Sequence, residues 1–490
     1  MGTATGFIAE QPALRPGQPY PWDVMPLFTV EEILEVTGAR VLASGGGRLA
    51  RSGFRRLCTD SRQIRRGDLF VALPGEHFNG KEFVEAAIRK GAAGALIQGQ
   101  AWGKTATKPI FGVPDAVLAY QQLAAHHRQR FTMPLVAVTG SNGKTTCKEM
   151  TACVLTERGS VLKTEGNFNN RIGVPQTLLR LTQRHDAAVV EMGVDRKGQT
   201  TRLCEIAHPT IGLITNIGPD HLEFFGSLDD SAHAKAELLD WIPEDGAAVL
   251  NADDAYFDYL ASRARCRVLP FGRSPRALIR AADVTVDLRR GTTFSLILPD
   301  RARGTKVQLA AHGAHNLSNA LAAAAVGYAL GMSGAAIARG LGRFRPAAMR
   351  SQVKVSHGIT IINDCYNANP ASMKAAVTLL AQLAERGRTI AALGDMLELG
   401  PESPALHREV GGHLASEGIT HLIACGPLAE QIAAGARSAG MEADRIHTAA
   451  DSVVGAALCK KLAQEGDVVL VKGSRGMMME RVVEQLMNDK

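Results

Sequence analysis

The sequence predicts an α/β protein of three domains. Apolar runs of about strand length alternate with helical patterns in two separate regions of the chain. The chain has 490 residues, and at roughly 150 residues per domain this length predicts about three domains. Glycine is frequent as well, with 50 residues against a usual share of ~7%, which indicates many tight turns and close backbone approaches.

The domain boundaries are predicted from where each pattern changes. Prolines in residues 1–26 predict an extended leader, a candidate for disorder. Residues 27–132 mix short strands and helices, as in GDLFVALPG, and predict a small mixed α/β domain. Residues 133–345 contain LVAVTG, AAVVEMG and IGLITNIG, continuous apolar runs typical of a mostly parallel, doubly wound sheet with both faces covered. Residues 346–490 repeat this alternation and predict a Rossmann-like α/β domain.

Two further segments have a predicted place in this scheme. The stretch VTVDLRRGTTFSLILP predicts a β-hairpin at the edge of the central sheet. The uncharged stretch Asn316–Ala338 is rich in alanine and glycine. Because polar residues interrupt it, a buried helix pair is favoured over a membrane span.

Composition narrows the class of protein. Lys and Arg exceed Asp and Glu by 55 − 48 = 7, and aromatic residues make up 5%. Since the chain has no run of basic residues, an anionic small substrate is favoured over nucleic acid. The eight cysteines are scattered without a CxxC pair, as expected for reduced thiols in a cytoplasmic protein. The N-terminus lacks the basic and apolar pattern of a signal peptide.

The sharpest local motif is LVAVTGSNGKTTCKEM. A strand enters a loop with Gly140 and Gly143, and a helical pattern follows, so backbone N–H groups are predicted to converge on phosphate oxygens. Lys144 is expected to reach the β- and γ-phosphates, and the Thr145 hydroxyl is expected to bind Mg²⁺. The loop is shorter than the usual P-loop, with Val138 at the first glycine position. The alternative is a chance Gly-Lys-Thr turn, which the strand and helix on either side disfavour.

Candidate metal ligands lie at the carboxyl ends of other predicted strands. Glu191 ends AAVVE, and His221 follows IGLITN in the segment NIGPDHLEFFGS. Each has a structural alternative, a carboxylate at a helix N-terminus or a partly buried histidine. Lys235, in AHAKAELL, has the pattern of a surface lysine on a helix.

Several motifs together resemble one family, the Mur ligases of peptidoglycan synthesis. They are the P-loop variant, TEGNFNNRIGVP, HNLSNALAAAA, DCYNANPASM and LGDMLELG. The likeness runs from TDSRQIRRGDLFVALPGEHFNG to VLVKGSRGMM and leaves the leader unmatched. YNANP combined with LGDMLELG is similar to the member that adds D-alanyl-D-alanine.

The resemblance implies a role for each matching residue. Within the set for ATP, Asn316 reads adenine, Asp364 binds ribose, and Arg350 reaches ATP once the domains close. The implied ATP-binding residues are Gly140, Ser141, Asn142, Gly143, Lys144, Thr145, Thr146, Asn316, Arg350 and Asp364. The implied catalytic residues are Lys144, Glu191, His221 and Lys235. The implied metal ligands are Thr145, Glu191, His221 and a carbamylated Lys235. The implied substrate-binding residues are Asp60, Ser61, Arg62, Asn167, Asn169, Asn170 and Arg171.

The resemblance also implies an activity. The protein is expected to join D-alanyl-D-alanine to UDP-N-acetylmuramoyl-tripeptide through an acyl phosphate, using ATP and two Mg²⁺ ions. A cytoplasmic monomer without nucleic-acid or membrane partners is expected. The third residue of the tripeptide, meso-diaminopimelate or lysine, is left open. The alternatives are another ligase of the same superfamily, adding a different amino acid or glutamate to a folate, and a P-loop kinase or nucleotide switch.

Two positions depart from the family pattern. The residue before Arg350 is usually glycine in the family and is Met349 here, so the local backbone geometry is expected to differ. Asn363 and Asp364 stand where two acidic residues usually precede the YNANP segment. Asp364 is therefore predicted to be the ribose acceptor, without help from its neighbour.

Overall fold

The structure, a computed structural model, describes most of the chain. It covers residues 26–46, 53–75, 79–288, 290–301, 303–384 and 387–488, so residues 1–25 of the predicted leader lie outside the described residues. The chain divides into two compact units, with the boundary between His127 and Arg128. The finer boundaries at residues 132/133 and 345/346 stay predictions.

The first unit is a mixed α/β domain, as the sequence predicts. Its strands are β1 (Phe28–Thr29), β2 (Arg40–Ala43), β3 (Gly53–Phe54), β4 (Arg56–Cys58), β5 (Asp68–Ala72), β6 (Gly94–Gln98) and β7 (Ile110–Val113). Its helices are α1 (Val30–Thr37), α2 (Val84–Lys90) and α3 (Ala116–Arg128). The main sheet has the order β2-β7-β6-β5-β4, with β2 antiparallel to β7 and the other neighbours parallel. Strands β1 and β3 form a short antiparallel pair.

The second unit begins with the predicted parallel sheet. Its strands are β8 (Leu135–Thr139), β9 (Val161–Lys163), β10 (Ala187–Glu191), β11 (Ile211–Ile214), β12 (Ala247–Asn251) and β13 (Arg267–Phe271). They pair in parallel in the order β13-β12-β11-β8-β10-β9. Every residue of β8 and β10 is buried, because helices cover both faces of the sheet. From β8, the chain adds strands first on one side of the sheet and then on the other. The loops after β8, β10 and β11 therefore diverge at the carboxyl ends of the strands, where ligands bind in such folds.

The helices of this sheet and its continuation are mostly short. They are α4 (Lys144–Leu155), α5 (Gly173–Leu178), α6 (Gln199–Ala207), α7 (Leu222–Phe225), α8 (Leu228–Ala236), α9 (Phe257–Arg263), α10 (Ala314–Ala329) and α11 (Gly334–Arg343). Helices α10 and α11 are the predicted buried pair, and α10 is buried along most of its length. Among the described helices, none has the length and apolar character needed to cross a membrane. All eight cysteines are free thiols, as expected.

The predicted hairpin forms, but its predicted location is wrong. Strands β14 (Arg280–Asp287), β15 (Gly291–Ile297) and β16 (Thr305–Leu309) make a separate antiparallel sheet in the order β14-β15-β16. A lone bridge between Phe271 and Ile279 is its link to the edge strand β13. The buried side chains of β15 and β16, such as Phe294 and Val307, pack into the same core as α10 and α11. Burial of this apolar face, rather than pairing with β13, fixes the position of the hairpin.

The last sheet confirms the predicted Rossmann-like domain. Its strands are β17 (Gln352–Ser356), β18 (Ile359–Asp364), β19 (Thr389–Gly394), β20 (His421–Cys425), β21 (Ile446–Ala449) and β22 (Val468–Lys472). They have the order β17-β18-β22-β19-β20-β21, in which β17 is antiparallel to β18 and the others are parallel. The helices are α12 (Pro370–Leu383), α13 (Ser403–Ser416), α14 (Ala429–Ser438), α15 (Ser452–Leu462) and α16 (Glu480–Met487).

Candidate active site

A cavity of about 740 Å³ lies where loops of the central sheet face loops of the C-terminal sheet. It brings together most of the residues that the sequence predicts for the site. These are Ser141, Asn142, Gly143, Lys144, Thr145, Thr146, Asn167, Asn169, Asn170, Glu191, His221, Asn316, Arg350 and Asp364. Gly140, Arg171 and Lys235 are not part of its lining, and Asp60, Ser61 and Arg62 belong to the first unit.

The loop after β8 needs both of its glycines. Gly140 has a φ of +132°, and a Cβ atom there would lie 2.1 Å from the Thr215 hydroxyl oxygen. Gly143 has a φ of +80°, and a Cβ atom there would lie 2.3 Å from Asn319 Oδ1. Helix α4 starts directly after Gly143, so its first N–H groups and its dipole make this end of the cavity suited to an anion.

Lys144 lies over this loop. Its Nζ donates hydrogen bonds to the carbonyl oxygens of Gly140 at 2.6 Å and Ser141 at 3.1 Å. The Ser141 hydroxyl donates to Asp220 Oδ1 at 2.6 Å, which ties the loop to the segment after β11. The ammonium group therefore stands at the helix N-terminus, where it adds positive charge to an anion site.

Glu191, at the end of β10, is the carboxylate beside this loop. Its Oε1 accepts hydrogen bonds from the Thr145 hydroxyl at 3.2 Å and from Asn169 Nδ2 at 2.8 Å. The Nζ of the buried Lys148 lies 3.6 Å from Glu191 Oε2. That oxygen is buried and has no hydrogen-bond partner among the described residues. A buried carboxylate oxygen with free acceptor capacity beside a hydroxyl fits a hard cation such as Mg²⁺.

Lys235 is buried, so its interpretation as a surface lysine is wrong. Its side chain is 1% exposed, and Nζ lies 3.1 Å from Asp220 Oδ1 and 2.5 Å from the Ser231 hydroxyl oxygen. Burial lowers the pKa of Lys235, against the opposing effect of Asp220. Burial alone would raise the pKa of Asp220, but the neighbouring cations Lys235 and Lys144 outweigh it and hold this pKa below its usual value. The pair is a buried ion pair next to the nucleotide loop.

His221 lies at the start of α7 and pairs with a residue of the C-terminal sheet. Its Nδ1 lies 2.6 Å from Glu398 Oε2, in the loop after β19. Within the described ranges, no group of three or more His, Cys, Asp and Glu side chains is placed to hold a metal ion. The predicted ligand set contains two such residues, Glu191 and His221, and needs Thr145 and a modified Lys235 to be complete.

The predicted asparagines differ in their surroundings. Asn316 is buried in α10, and its Nδ2 donates to the carbonyl oxygen of His312 at 2.8 Å. Asn170 Oδ1 accepts from the backbone N–H groups of Ile172 and Gly173, which stabilises the start of α5. Arg171 is exposed outside the cavity. Asn167, Asn169 and Asn170 therefore face the cavity, whereas their neighbour Arg171 does not line it.

Two C-terminal side chains reach the nucleotide loop. Arg350 Nη2 donates to the Thr145 hydroxyl oxygen at 3.1 Å, and its guanidinium lies 3.9 Å from the centroid of the Tyr366 ring. Asn369, which caps α12, donates through Nδ2 to Asn142 Oδ1 at 2.8 Å. These contacts close one side of the cavity with residues from the C-terminal sheet.

Asp364 ends β18 and is already bonded on both oxygens. Oδ1 accepts from the backbone N–H of Ser351 at 2.8 Å, and Oδ2 accepts from Lys472 Nζ at 2.6 Å. The Ser351 hydroxyl also donates to Oδ1, at 3.4 Å, whereas Oδ2 can accept a second bond, so a ribose hydroxyl can still be bound. The neighbouring Asn363 is buried.

Met349 keeps the backbone conformation that favours glycine. Its φ is +59°, and Ser351 on the other side of Arg350 has a φ of +47°. Methionine therefore occupies a left-handed conformation that glycine adopts without strain and that other residues adopt at a cost. Because these two residues flank Arg350, their backbone conformation orients the Arg350 side chain.

We expect the stability and activity of Met349 variants to depend on how well the new residue tolerates a positive φ. Met349→Val should lower the melting temperature and reduce kcat, because a β-branched residue is disfavoured more strongly than methionine in the left-handed region. Met349→Gly should keep kcat within about threefold, since glycine adopts this φ freely. Thermal unfolding and steady-state kinetics of both variants test this. Equal behaviour of the two variants would contradict a backbone role.

Asp60 and Arg62 form a local pair in the first unit, just after β4. Arg62 Nη2 lies 2.9 Å from Asp60 Oδ2, and the arginine side chain is 86% exposed. Hydrogen bonds from Arg62 lower the pKa of Asp60 to about 2. Asp60 also caps the 3₁₀ turn Ser61–Gln63. The turn presents a charged guanidinium to solvent, which suits recognition of an anionic group.

Sequence reasoning missed several residues of the cavity. Asp220 stands next to the predicted His221, and its position after a buried strand was a usable signal. Three other residues lie in motifs that served only to recognise the family, and no role was predicted for them: Glu398, Asn369 and Lys472. Their roles depend on contacts between segments far apart in sequence, which no local pattern reveals.

Comparison with known proteins identifies the family of the chain. Residues 138–327 match the Mur ligase middle domain, residues 349–475 match the Mur ligase glutamate ligase domain, and residues 54–128 match the Mur ligase family catalytic domain. The fold, the nucleotide loop and these matches define a nucleotide-dependent ligase, and the chain belongs to the Mur ligase family.

Particular members of the family are similar over most of the chain. The UDP-N-acetylmuramoyl-tripeptide–D-alanyl-D-alanine ligase of Bacillus subtilis is 35% identical over 436 residues, 88% of this chain and 92% of the relative. The crystal structure of MurF from Acinetobacter baumannii has a TM-score of 0.86 at 30% identity, covering 94% of this chain and 99% of that one. MurF ligase from Thermotoga maritima in complex with ADP has a TM-score of 0.77 at 29% identity, covering 88% and 97%.

Proposed function

We propose that this chain is an ATP-dependent ligase that joins D-alanyl-D-alanine to UDP-N-acetylmuramoyl-tripeptide, giving the pentapeptide precursor, ADP and phosphate. The single observation that carries the proposal is the meeting of two motifs in one cavity. Arg350 of the C-terminal domain donates to Thr145 of the nucleotide loop at 3.1 Å. Relatives that match most of the chain, such as those of Bacillus subtilis and Escherichia coli, have the same activity in their names. The chemistry of the cavity supports it further.

The reaction must first activate a carboxylate, which is a poor electrophile. The terminal carboxylate of the tripeptide attacks the γ-phosphorus, an O–P bond forms, and ADP leaves. The amine of the dipeptide then attacks the acyl carbon, a C–N bond forms, and phosphate leaves with the oxygen it received. Two anions meet in the first step, and their repulsion is large in a water-poor site. Lys144, Arg350 and the N-terminus of α4 offset this repulsion.

The remaining cavity residues suit the binding of ATP and metal. Asn316 is proposed to read adenine and Asp364 to bind ribose, with the loop from Gly140 to Thr146 around the phosphates. Thr145 and Glu191 would hold one Mg²⁺, and His221 with a carbamylated Lys235 would hold a second. When bound, Mg²⁺ supplies positive charge that stabilises phosphoryl and carboxylate oxygens. Closure of the C-terminal domain excludes water that would hydrolyse the acyl phosphate.

Two further assignments complete the proposal. The UDP-linked substrate is assigned to Asp60, Ser61 and Arg62 of the first unit, together with a central segment. The residues of that segment are Asn167, Asn169, Asn170 and Arg171. The enzyme is proposed to work as a cytoplasmic monomer.

Oxygen transfer tests the reaction directly. The tripeptide substrate is labelled with ¹⁸O in its terminal carboxylate and incubated with ATP and D-alanyl-D-alanine. We expect ADP release that depends on the dipeptide, with one ¹⁸O in the released phosphate. A stable phosphorylated product without the amine would indicate a kinase. Slow ATP hydrolysis that ignores both substrates would indicate a nucleotide switch. Preference for a single amino acid over the dipeptide would indicate another ligase of the superfamily.

Arg62→Ala is expected to raise the KM for the UDP-linked substrate by about tenfold or more, the typical loss of one charge-assisted hydrogen bond. The KM for ATP should change by less than about twofold. Arg62 is exposed and its partner Asp60 is partly exposed, so the fold should be kept. Arg89→Ala, an exposed arginine in α2, is the matched control. If the KM for ATP changes most, the first unit does not hold the UDP-linked substrate.

A further inference from the structure

A histidine–carboxylate hydrogen bond joins the central sheet to the C-terminal sheet at the cavity. His221 Nδ1 lies 2.6 Å from Glu398 Oε2. Both residues line the cavity, and they are 177 positions apart in the sequence. The pair therefore forms between two sheets at the site where the proposed function places a metal ligand.

The backbone holds both residues in an uncommon conformation. His221 has a φ of +51° and Glu398 has a φ of +63°. The backbone N–H of Glu223 donates to the carbonyl oxygen of Glu398 at 3.3 Å, so the two loops also bond through their main chains. A left-handed conformation in a residue other than glycine costs about 1–2 kcal/mol. Glycine would remove the strain but also the side chain, and such strain persists where the surrounding structure fixes it, often at functional sites.

Energy alone does not account for this pair. The side chains are 32% and 49% exposed, and even a fully charged pair in such a position contributes about 0–1 kcal/mol. That is no more than the cost of the two strained backbones. The pair is better explained by what it does to the imidazole ring, because a metal-binding histidine usually donates its second ring N–H to a carboxylate.

We propose that Glu398 is a positioning residue for His221. Its carboxylate accepts the Nδ1–H of the imidazole, which fixes the ring orientation and leaves the Nε2 lone pair for a cation in the cavity. Because Glu398 comes from the C-terminal sheet, the histidine is set for binding only when the two sheets are in contact. The inference rests on the proposed function, which makes His221 a metal ligand.

The test measures the tautomer of His221 and the affinity for a metal separately. In ¹⁵N-histidine-labelled, metal-free protein at alkaline pH, long-range ¹H–¹⁵N correlation reports which ring nitrogen carries the proton. His221→Gln assigns the signal. We expect Nδ1–H in the unmodified protein and a shift towards Nε2–H in Glu398→Ala. Titration with Mn²⁺, followed by electron paramagnetic resonance, should show affinity lowered by about 10–100-fold in that variant.

A second histidine–glutamate pair supplies the control. His413 Nε2 lies 3.4 Å from Glu417 Oε1, with similar exposure and outside the cavity. Glu417→Ala should leave the His221 tautomer and the Mn²⁺ affinity unchanged. A His221 tautomer that is unchanged in Glu398→Ala overturns the inference and leaves the proposed function intact. A shifted tautomer with unchanged Mn²⁺ affinity shows instead that His221 is not a metal ligand, which overturns that part of the proposed function.

Discussion

Lys144→Ala is expected to lower kcat by about 10²-fold or more while the protein stays folded, the usual effect of removing one preorganised charge from a transition state. Lys144 is held over the nucleotide loop by the carbonyl oxygens of Gly140 and Ser141, at 2.6 and 3.1 Å. Its ammonium group is therefore already placed where the γ-phosphate and the carboxylate are proposed to meet. The Lys144 side chain therefore does not have to move far to contact the reacting groups.

The measurement is dipeptide-dependent ADP release under saturating substrates, with thermal unfolding of each variant as the check on the fold. Lys461→Ala is the matched control, since this lysine lies in the last turn of α15 and is exposed. Lys144 is only partly buried and has no carboxylate hydrogen-bond partner within the described residues, so its loss should cost little stability. Near-normal turnover in a folded Lys144→Ala variant would contradict the assignment of the ATP site.

The nucleotide site could be predicted because its parts are adjacent in sequence. The strand β8, the loop with Gly140 and Gly143, and the start of α4 follow one another within residues 135–155. Periodicity and turn chemistry are local properties, so they identify such a unit directly. The parallel sheets were predictable for the same reason, since strands buried on both faces are continuous apolar runs.

The completion of the site could not be predicted locally. Asn369 meets Asn142 across 227 positions, and Arg350 meets Thr145 across 205. Such contacts depend on how two sheets are docked, which is decided by the packing of whole faces rather than by any short pattern. The predicted location of the β14–β15 hairpin was wrong for the same reason. Its buried side chains pack in a core shared with α10 and α11, and they do not extend the edge of the central sheet.

Burial of Lys235 is the feature that changes expectations most. In the sequence it has the pattern of a surface lysine, and in the structure it is 1% exposed against Asp220. Lys235→Ala would leave the Asp220 carboxylate buried without its partner, and breaking a buried pair in this way costs about 3–5 kcal/mol. We therefore expect this alanine variant to be less stable than the unmodified protein. Lys235→Arg, which keeps a cation for Asp220, is the sharper variant.

Lys235→Arg is expected to lower kcat by about 10²-fold or more in a folded protein, in line with the loss of a charge placed for the transition state. The neutral lysine amine reacts with CO₂ to form an N–C bond, losing a proton and giving a carbamate of charge −1, whose oxygens suit Mg²⁺. Burial lowers the pKa of Lys235, which raises the fraction of neutral amine at neutral pH. Arginine stays protonated and cannot follow this course.

Labelling with ¹³CO₂ provides the direct measurement of this modification. A ¹³C carbamate signal should be present in the unmodified protein and absent from Lys235→Arg, and an added small carboxylate should restore part of the activity of Lys235→Ala. Carbamylation would replace the ammonium 3.1 Å from Asp220 with a second negative charge, which a bound divalent cation would offset, so the carbamate is expected to depend on the second metal. Near-full activity in Lys235→Arg would show that the residue acts as a cation, because a guanidinium can replace the charge of lysine but not the oxygens of a carbamate.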